Sequence, residues 1–446
     1  MVSTWRDLPL LGAPLPLARI DADAMLVDLP AGATPTARLR YVDADDLLVS
    51  WVWDHQRSSP RMSVVPRSRV APVLDQLARA LPSPLPGESG LQALQRALTN
   101  GVLLDVEREQ ELAALLTPAL VPQQLAAELN AFAQAGARPH LRVQLSPSTA
   151  QVPWELMGTE GDERALDLVD VSVLLPATLR NAPARAVSPW SPGAPIAAVL
   201  DPVVPGFSAT GELGSVLGPV DAGSPLAAMV EGWGARRRPA DPGSPAEAFR
   251  RTDAARLALA EAVTDAGRLV YVGHVTSSTH ALDARMHLSD GPDAPGTTPA
   301  IGSHRPYSAA EIALGGEGLA PLRAPNRVAL IACDSGTDLR FAEPMGLVAA
   351  FVHRGAEYVT ATRWTLPTEA GLRRLVPALG DRAEGMLTEA IIAVDAAHDT
   401  ADPVAALGAW QRGQRGAWTE TGDPRHSPII WGAFATAWAP APVVTG

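Results

Sequence analysis

The chain has 446 residues, is 47% hydrophobic and carries a formal net charge of -12, which argues against a nucleic-acid or anionic-membrane surface. Arginine supplies all 36 basic residues, so a Walker A loop, a kinase lysine and a pyridoxal phosphate lysine are excluded. A single cysteine excludes an internal disulfide and a multi-cysteine zinc site, and we predict neither metal nor cofactor.

The ends and the composition bear on where the protein works. The N-terminus lacks a basic segment followed by an apolar stretch, and no apolar run is long enough to span a bilayer. We therefore expect a cytoplasmic protein. The lysine-free composition, rich in Ala, Gly and Pro, is typical of a GC-rich bacterial genome.

The first 81 residues predict a small, strand-rich N-terminal domain. Two apolar segments, 38–42 and 47–53, predict strands around the acidic turn 43–46. The Pro-, Gly- and Ser-rich segment 82–90 predicts a linker.

Residues 91–185 predict a segment of helices and strands that leads into the main domain. Apolar residues recur at helical spacing in 91–98, 107–116 and 122–134, and the alternating segment 141–145 predicts a strand.

The last part, residues 194–446, predicts the main domain. Strands are expected at 196–200, 268–272, 326–332 and 357–362, and helices at 244–266, 344–354 and 382–398. This alternation predicts an α/β fold, a mostly parallel sheet with helices on both faces.

Two of these strands run directly into reactive side chains, His274 and Cys333. Sites in open parallel sheets form beyond the carboxyl ends of the strands, so neighbouring strands would place the two residues together. A nearby imidazole can take the thiol proton and return it to a leaving amine. The pair predicts a cysteine nucleophile with a histidine base.

Other interpretations of the same residues stay open. A lone cysteine after a buried strand is often an inert core residue. His280 and His287 are rival bases, although the alternating pattern around His287 favours a structural role.

The sequence resembles the CHAT domain family, whose members are caspase- and separase-like cysteine peptidases of clan CD. The resemblance spans about residues 109–440 and rests on an ordered set of segments. These are 152–156 (VPWEL), 273–274 (GH), 285–291 (RMHLSDG), 307–312 (YSAAEI), 332–336 (ACDSG), 346–351, 359–364 and 427–434. Caspases have the same order, with their histidine about 50 residues upstream of the cysteine.

The resemblance implies a caspase-like fold and a role for each matching residue. Cys333 would be the nucleophile and His274 its base, with the backbone N–H groups of Cys333 and Val275 as the oxyanion hole. Most relatives have a small residue in place of Val275, which still retains an N–H.

The resemblance also implies a substrate groove at Asp334, Arg363, Trp364 and Glu369, where an extended peptide would pair with residues 361–366. Trp364 is interpreted equally well as a core residue. Pro367 and Thr368 stand where relatives carry acids, which favours a small or apolar preference over a basic one.

These features predict a regulated cysteine endopeptidase. The expected partners are a protein substrate, encoded by a neighbouring gene, and an activating partner, with no nucleic acid and no membrane. The family context suggests a role in bacterial stress, cell death or antiphage defence. The alternative is a catalytically silent caspase-like scaffold that binds a partner protein.

Overall fold

The computed structural model describes residues 25–99, 101–158, 163–240, 243–276, 280–332, 345–376 and 385–441. The chain forms two compact units. The first comprises Met1–Leu81, Gly101–Leu174 and Gly408–Gly432, and the second comprises Pro82–Asn100, Leu175–Leu407 and Ala433–Gly446.

The strands of the described residues are as follows in chain order. They are β1 Thr36–Asp43, β2 Leu47–Trp53, β3 Arg61–Val65, β4 His140–Gln144, β5 Asp170–Val173, β6 Ile196–Leu200, β7 Arg237–Arg238, β8 Arg268–Gly273, β9 Val275–Thr276, β10 Arg285–Met286, β11 Tyr307–Ser308, β12 Arg327–Ala332, β13 Tyr358–Thr362 and β14 Phe434–Trp438.

The helices follow the same order. They are α1 Arg67–Ala80, α2 Gly90–Thr99, α3 Val106–Leu120, α4 Gln123–Gln134, α5 Ala165–Leu168, α6 Ala177–Arg180, α7 Pro225–Trp233, α8 Arg256–Ala262, α9 Ala309–Leu314, α10 Met345–His353, α11 Glu369–Leu375, α12 Met386–His398, α13 Pro403–Thr421 and α14 Pro428–Trp431.

In the first unit, strands lie in the order β3-β2-β1-β4-β5. β1 pairs antiparallel with β2 and parallel with β4, with Thr36 opposite His140. The alternating residues of β2 are buried on one face, as its sequence predicts. The strands within the predicted domain 1–81 share a sheet with residues 140–144, and the unit that contains them also contains residues 101–174 and 408–432.

In the second unit, strands lie in the order β14-β13-β12-β8-β6-β7. All neighbours are parallel except β13 and β14, which confirms the mostly parallel α/β fold. All six residues of β8 are buried, as is typical of a parallel strand covered on both faces. Residues 82–100, predicted as a linker and a helix, belong to this unit.

The predicted helix over 244–266 is wrong in extent. The structure has a 3-10 turn at Pro245–Ala248 and then α8, Arg256–Ala262. Arg250 between them has φ +55°, a left-handed conformation that no α-helix accommodates. The other predicted helices and strands of this unit are confirmed within a few residues, apart from positions outside the described ranges.

A buried ionic cluster fixes the loop between β10 and β11. The fully buried Arg256 lies 3.2 Å from Asp290 and 3.6 Å from Glu311, and its guanidinium is 5.1 Å from the Tyr307 ring. Glu311 also completes a capping box with Ser308 at the start of α9. Removing one partner of such a pair leaves a buried charge and typically costs about 3–5 kcal/mol. Two of the segments that resemble the CHAT family, 285–291 and 307–312, therefore contribute residues that stabilise the fold.

Among the described residues, no single helix is long and apolar enough to cross a membrane, and one pair, α3 and α4, passes that test jointly while bent by 112°.

Candidate active site

The carboxyl ends of β8 and β12 form the centre of the candidate site. The two strands are parallel neighbours, and their last residues, Gly273 and Ala332, are paired directly. His274 and Cys333 are the next residues of the two strands. The register confirms that the strands are neighbours, while Cys333 itself lies outside the described residues.

The His274 ring is buried, with 4% of its surface exposed, and its orientation is set by a main-chain carbonyl. Nε2 lies 2.9 Å from the carbonyl oxygen of Gly214. Since a carbonyl only accepts, Nε2 carries the proton and donates it. The neutral ring therefore has its lone pair on Nδ1, the nitrogen that can act as a base.

Gly273 is required by the packing just before the histidine. A Cβ at this position would lie 2.7 Å from the Tyr271 hydroxyl oxygen and 2.9 Å from its Cζ. The Tyr271 hydroxyl in turn donates to the carbonyl oxygen of His274 at 2.6 Å. The small residue before the histidine thus leaves room for a buried tyrosine that holds the histidine backbone.

The loop that carries Gly214 is equally tight. A Cβ on Gly214 would lie 2.4 Å from the carbonyl oxygen of Ala209 and 2.6 Å from that of Ser208. The Gly214 N–H donates to Gly211, and the Ser215 N–H donates to Ala209. This closed turn fixes the direction of the Gly214 carbonyl, which accepts the hydrogen bond from His274 Nε2.

Val275 presents its backbone N–H away from its neighbouring strand. The His287 N–H donates to the His274 carbonyl, so these two residues form a hydrogen-bonded pair. Val275 and Met286 are then the next, non-hydrogen-bonded pair. Because β9 is the edge of the sheet β11-β10-β9 within the described part of the chain, the Val275 N–H faces an open edge.

His287, one of the rival bases, is a structural residue. It is fully buried, and both of its ring nitrogens are engaged. Thr276 donates to its Nε2 at 2.9 Å, and its Nδ1 donates to Nε2 of His304 at 3.1 Å. The Nδ1–H of His304 in turn donates a hydrogen bond to the Asp290 carbonyl oxygen at 2.9 Å.

This chain of hydrogen bonds requires neutral imidazoles. Burial, reinforced by the neighbouring His304, His274 and Arg285, holds the pKa of His287 well below its usual value. Burial likewise lowers the pKa of His304. The other rival, His280, is exposed at the surface.

His274 opens onto a cleft of about 850 Å³ within the second unit. Three sequence segments form its walls: leucines of α2, the loop 209–219, and residues 367–375. Leu91, Leu94 and Leu98 recur at helical spacing and make one wall apolar. Within the described residues, no group of three or more His, Cys, Asp or Glu side chains is suited to a metal ion.

The predicted groove residues divide into three groups. Glu369 lines the cleft, and its Oε1 accepts from the backbone of Gly385 and from Thr388. Arg363 and Trp364 are buried, at 5% and 2% exposure, so their side chains are not accessible to a substrate. Asp334 lies outside the described residues.

The predicted peptide-pairing segment 361–366 needs a correction as well. Ala361 is paired with Leu330 on one side and with Ala435 on the other. A strand paired on both sides cannot receive a further strand. Pairing with a peptide is therefore excluded at Ala361, and the Arg363 N–H is likewise engaged by the Ala433 carbonyl.

Three parts of the site were missed by the sequence interpretation. They are Gly214, the apolar wall from α2, and Asp201, whose buried carboxylate accepts from the Ser215 hydroxyl and the Val216 N–H directly after Gly214. Asp201 offered a signal, since it directly follows a predicted strand at the same sheet edge as His274. The helical spacing of Leu91, Leu94 and Leu98 predicted a helix, but nothing in it indicated which surface the helix covers.

These features define an α/β protein with a mostly parallel sheet and an oriented histidine at the carboxyl edge of its central strands. A family model described as the CHAT domain matches residues 110–438, well over half of the chain. The chain belongs to the CHAT domain family. No curated protein matches the chain.

Among solved structures, the chain is similar to separase from Saccharomyces cerevisiae in its complex with securin. The 3.0 Å structure has 9% sequence identity and a TM-score of 0.43, and the match covers 94% of this chain and 31% of that chain. The 2.6 Å structure has 10% identity and a TM-score of 0.37, with the same two coverages. The chain thus spans about a third of the length of these separase chains.

Proposed function

We propose that the protein is a cysteine endopeptidase in which His274 activates Cys333. The observation that carries the proposal is the register of β8 and β12, which pairs the residues just before the histidine and the cysteine. Neighbouring strands lie about 4.8 Å apart and consecutive Cα atoms about 3.8 Å apart, so chain geometry allows a thiol at position 333 to reach the imidazole.

The first chemical step follows from the tautomer of His274. With Nε2–H donated to Gly214, Nδ1 accepts the Cys333 thiol proton. The thiolate attacks the peptide carbonyl carbon, a C–S bond forms, and the carbonyl oxygen takes the electron pair. The Gly214 carbonyl stabilises the imidazolium through the same hydrogen bond.

Stabilisation of the resulting oxyanion falls to backbone donors. The Val275 N–H faces the open edge of the small sheet and is suited to this role, together with the N–H of Cys333. As the C–N bond breaks, His274 returns its proton to the leaving amine. A water, deprotonated by His274, then hydrolyses the thioester and regenerates the thiol.

The substrate class is a peptide segment of a protein with a small or apolar side chain near the scissile bond. Two observations support this class: Pro367 and Thr368 line the cleft where relatives carry acids, and another wall of the cleft is apolar at Leu91, Leu94 and Leu98. A neighbouring gene for the substrate, an activating partner, a cytoplasmic location and a role in bacterial defence complete the proposal. The location rests on the sequence features described above, and the other three rest on the resemblance.

The test compares wild type with Cys333→Ala. We expect a cysteine-directed chloromethyl ketone with an apolar side chain to label wild type at Cys333 and to block its cleavage of candidate protein substrates. His274→Ala is expected to slow labelling about 100-fold, because general-base catalysis typically contributes about 10²–10⁴-fold.

Equal cleavage by Cys333→Ala and wild type would refute the assignment of Cys333 as the nucleophile. A wild-type protein that binds a partner but neither cleaves it nor reacts with the probe in its presence would favour the scaffold alternative.

A further inference from the structure

The end of β6 and the loop that orients His274 are joined by one buried carboxylate. Asp201 directly follows β6, is 1% exposed and has φ +51°. Its backbone N–H donates to the Val272 carbonyl at 2.7 Å, two residues before His274. The carboxylate is thus anchored to the strand that carries the histidine.

Both oxygens of this carboxylate hold the residues just after Gly214. Oδ1 accepts from the Val216 N–H at 2.9 Å, and Oδ2 accepts from the Ser215 hydroxyl and, at 3.4 Å, from the Leu217 N–H. Arg250 lies 3.5 Å from Oδ1 and offsets part of the charge. A buried carboxylate that lost these hydrogen bonds would destabilise the folded protein, so the charge of Asp201 favours the loop geometry that provides them.

We infer that Asp201 is a positioning residue: by clamping residues 215–217, it aims the Gly214 carbonyl at His274 Nε2 and so keeps the lone pair on Nδ1. The inference deepens the proposed peptidase function and rests on it for its catalytic meaning. Asp201 does not touch a substrate. It acts through Gly214, whose carbonyl is 2.9 Å from the His274 ring.

Asparagine at position 201 has the right shape but the wrong chemistry. Its amide offers one acceptor oxygen and a donor NH₂, so it cannot accept from both Val216 and Ser215. The Ser215 oxygen has a second lone pair beside the one that accepts from the Gly218 N–H, so it could accept from the amide. The backbone cannot adapt in this way: in either orientation the NH₂ group faces the Val216 N–H or the Leu217 N–H, and both of these groups only donate. One side of the loop must therefore come loose, and the Gly214 carbonyl moves with it.

The experiment measures the His274 tautomer directly, by ¹⁵N NMR of histidine-labelled protein, in wild type and in Asp201→Asn. His274→Gln assigns the resonance. We expect the Nε2–H form to dominate in wild type and to fall in the variant. Alkylation of Cys333 by iodoacetamide should slow about 100-fold, the usual effect of a misplacement of about 1 Å.

A second variant and a matched control keep the test decisive. Ser215→Ala removes only the hydroxyl, and it should shift the tautomer in the same direction with about a tenfold slower alkylation. Asp395→Asn is the control: Asp395 is also a buried carboxylate, paired at 3.1 Å with Arg268 at the opposite end of β8. It should leave the tautomer and the alkylation rate unchanged.

An unchanged His274 tautomer in both Asp201→Asn and Ser215→Ala would overturn the inference, and so would an equal tautomer shift in Asp395→Asn. The peptidase proposal fails separately. A tautomer shift in both clamp variants, with no reaction of Cys333 in wild type, supports the clamp and counts against the enzyme.

Discussion

Gly214→Ala provides a direct test of how His274 is held. A Cβ would lie 2.4 Å from the Ala209 carbonyl oxygen and 2.6 Å from that of Ser208, whereas real Cβ atoms are essentially never closer than 3.0 Å. Both obstacles are backbone atoms, so the loop itself must move by roughly 0.5–1 Å to reach ordinary packing distance. The 2.9 Å hydrogen bond from His274 Nε2 cannot survive such a shift with good geometry.

We expect Gly214→Ala to slow iodoacetamide alkylation of Cys333 about 100-fold, corresponding to about 2.7 kcal/mol. Stopped-flow alkylation of the wild type and the variant measures this directly. Gly223→Ala is the matched control, since nothing lies within 4 Å of a Cβ at that position, and it should react like wild type. An alkylation rate in Gly214→Ala within about twofold of the control would refute the claim that the Gly214 carbonyl orients His274.

Two further predictions concern pH and the cleft. Burial, reinforced by Arg268 and Arg327, lowers the pKa of His398 from 6.5 to about 3. Below pH 6.5 the unfolded state therefore binds a proton that the folded state does not bind, and the stability of the protein decreases as the pH decreases. Between about pH 7 and pH 5 this residue should cost about 2 kcal/mol, and denaturant unfolding of His398→Gln should show a pH dependence weaker by that amount; identical slopes would contradict it. Leu91→Gln, at a cleft residue that is 44% exposed, should raise KM for apolar peptides about tenfold while leaving Cys333 alkylation unchanged. Leu115→Gln, 42% exposed and outside the cleft, is its control, and an equal KM in the two variants would count against the apolar wall.

Much of the second unit was predictable from local sequence. Strands such as β6, β8 and β12 are short apolar runs, as expected for parallel strands buried on both faces, and their length of five or six residues favours a strand over a helix. The alternation of these strands with helices along the chain then predicts a parallel sheet. That in turn predicts His274 at the carboxyl edge, next to the strand that leads to Cys333.

Contacts between distant segments were not predictable in this way. Arg363 and Trp364 matched a groove motif, but the burial of Arg363 depends on β14, about 70 residues later in the chain. The predicted helix 244–266 is interrupted at Arg250, which has a positive φ. Tertiary contacts, such as the hydrogen bond from its N–H to the Leu200 carbonyl, override the helical preference of the local sequence.

By itself, the sequence determined the fold class, the family, the one available thiol and the histidine proposed as its base. Composition and strand periodicity are local properties of the chain, and they carry that information. The tertiary structure decided how His274 is oriented, because the Gly214 carbonyl reaches the ring across 60 residues. It also decided that α2 lines the cleft, since a helical stripe specifies an apolar face but not the surface that it meets.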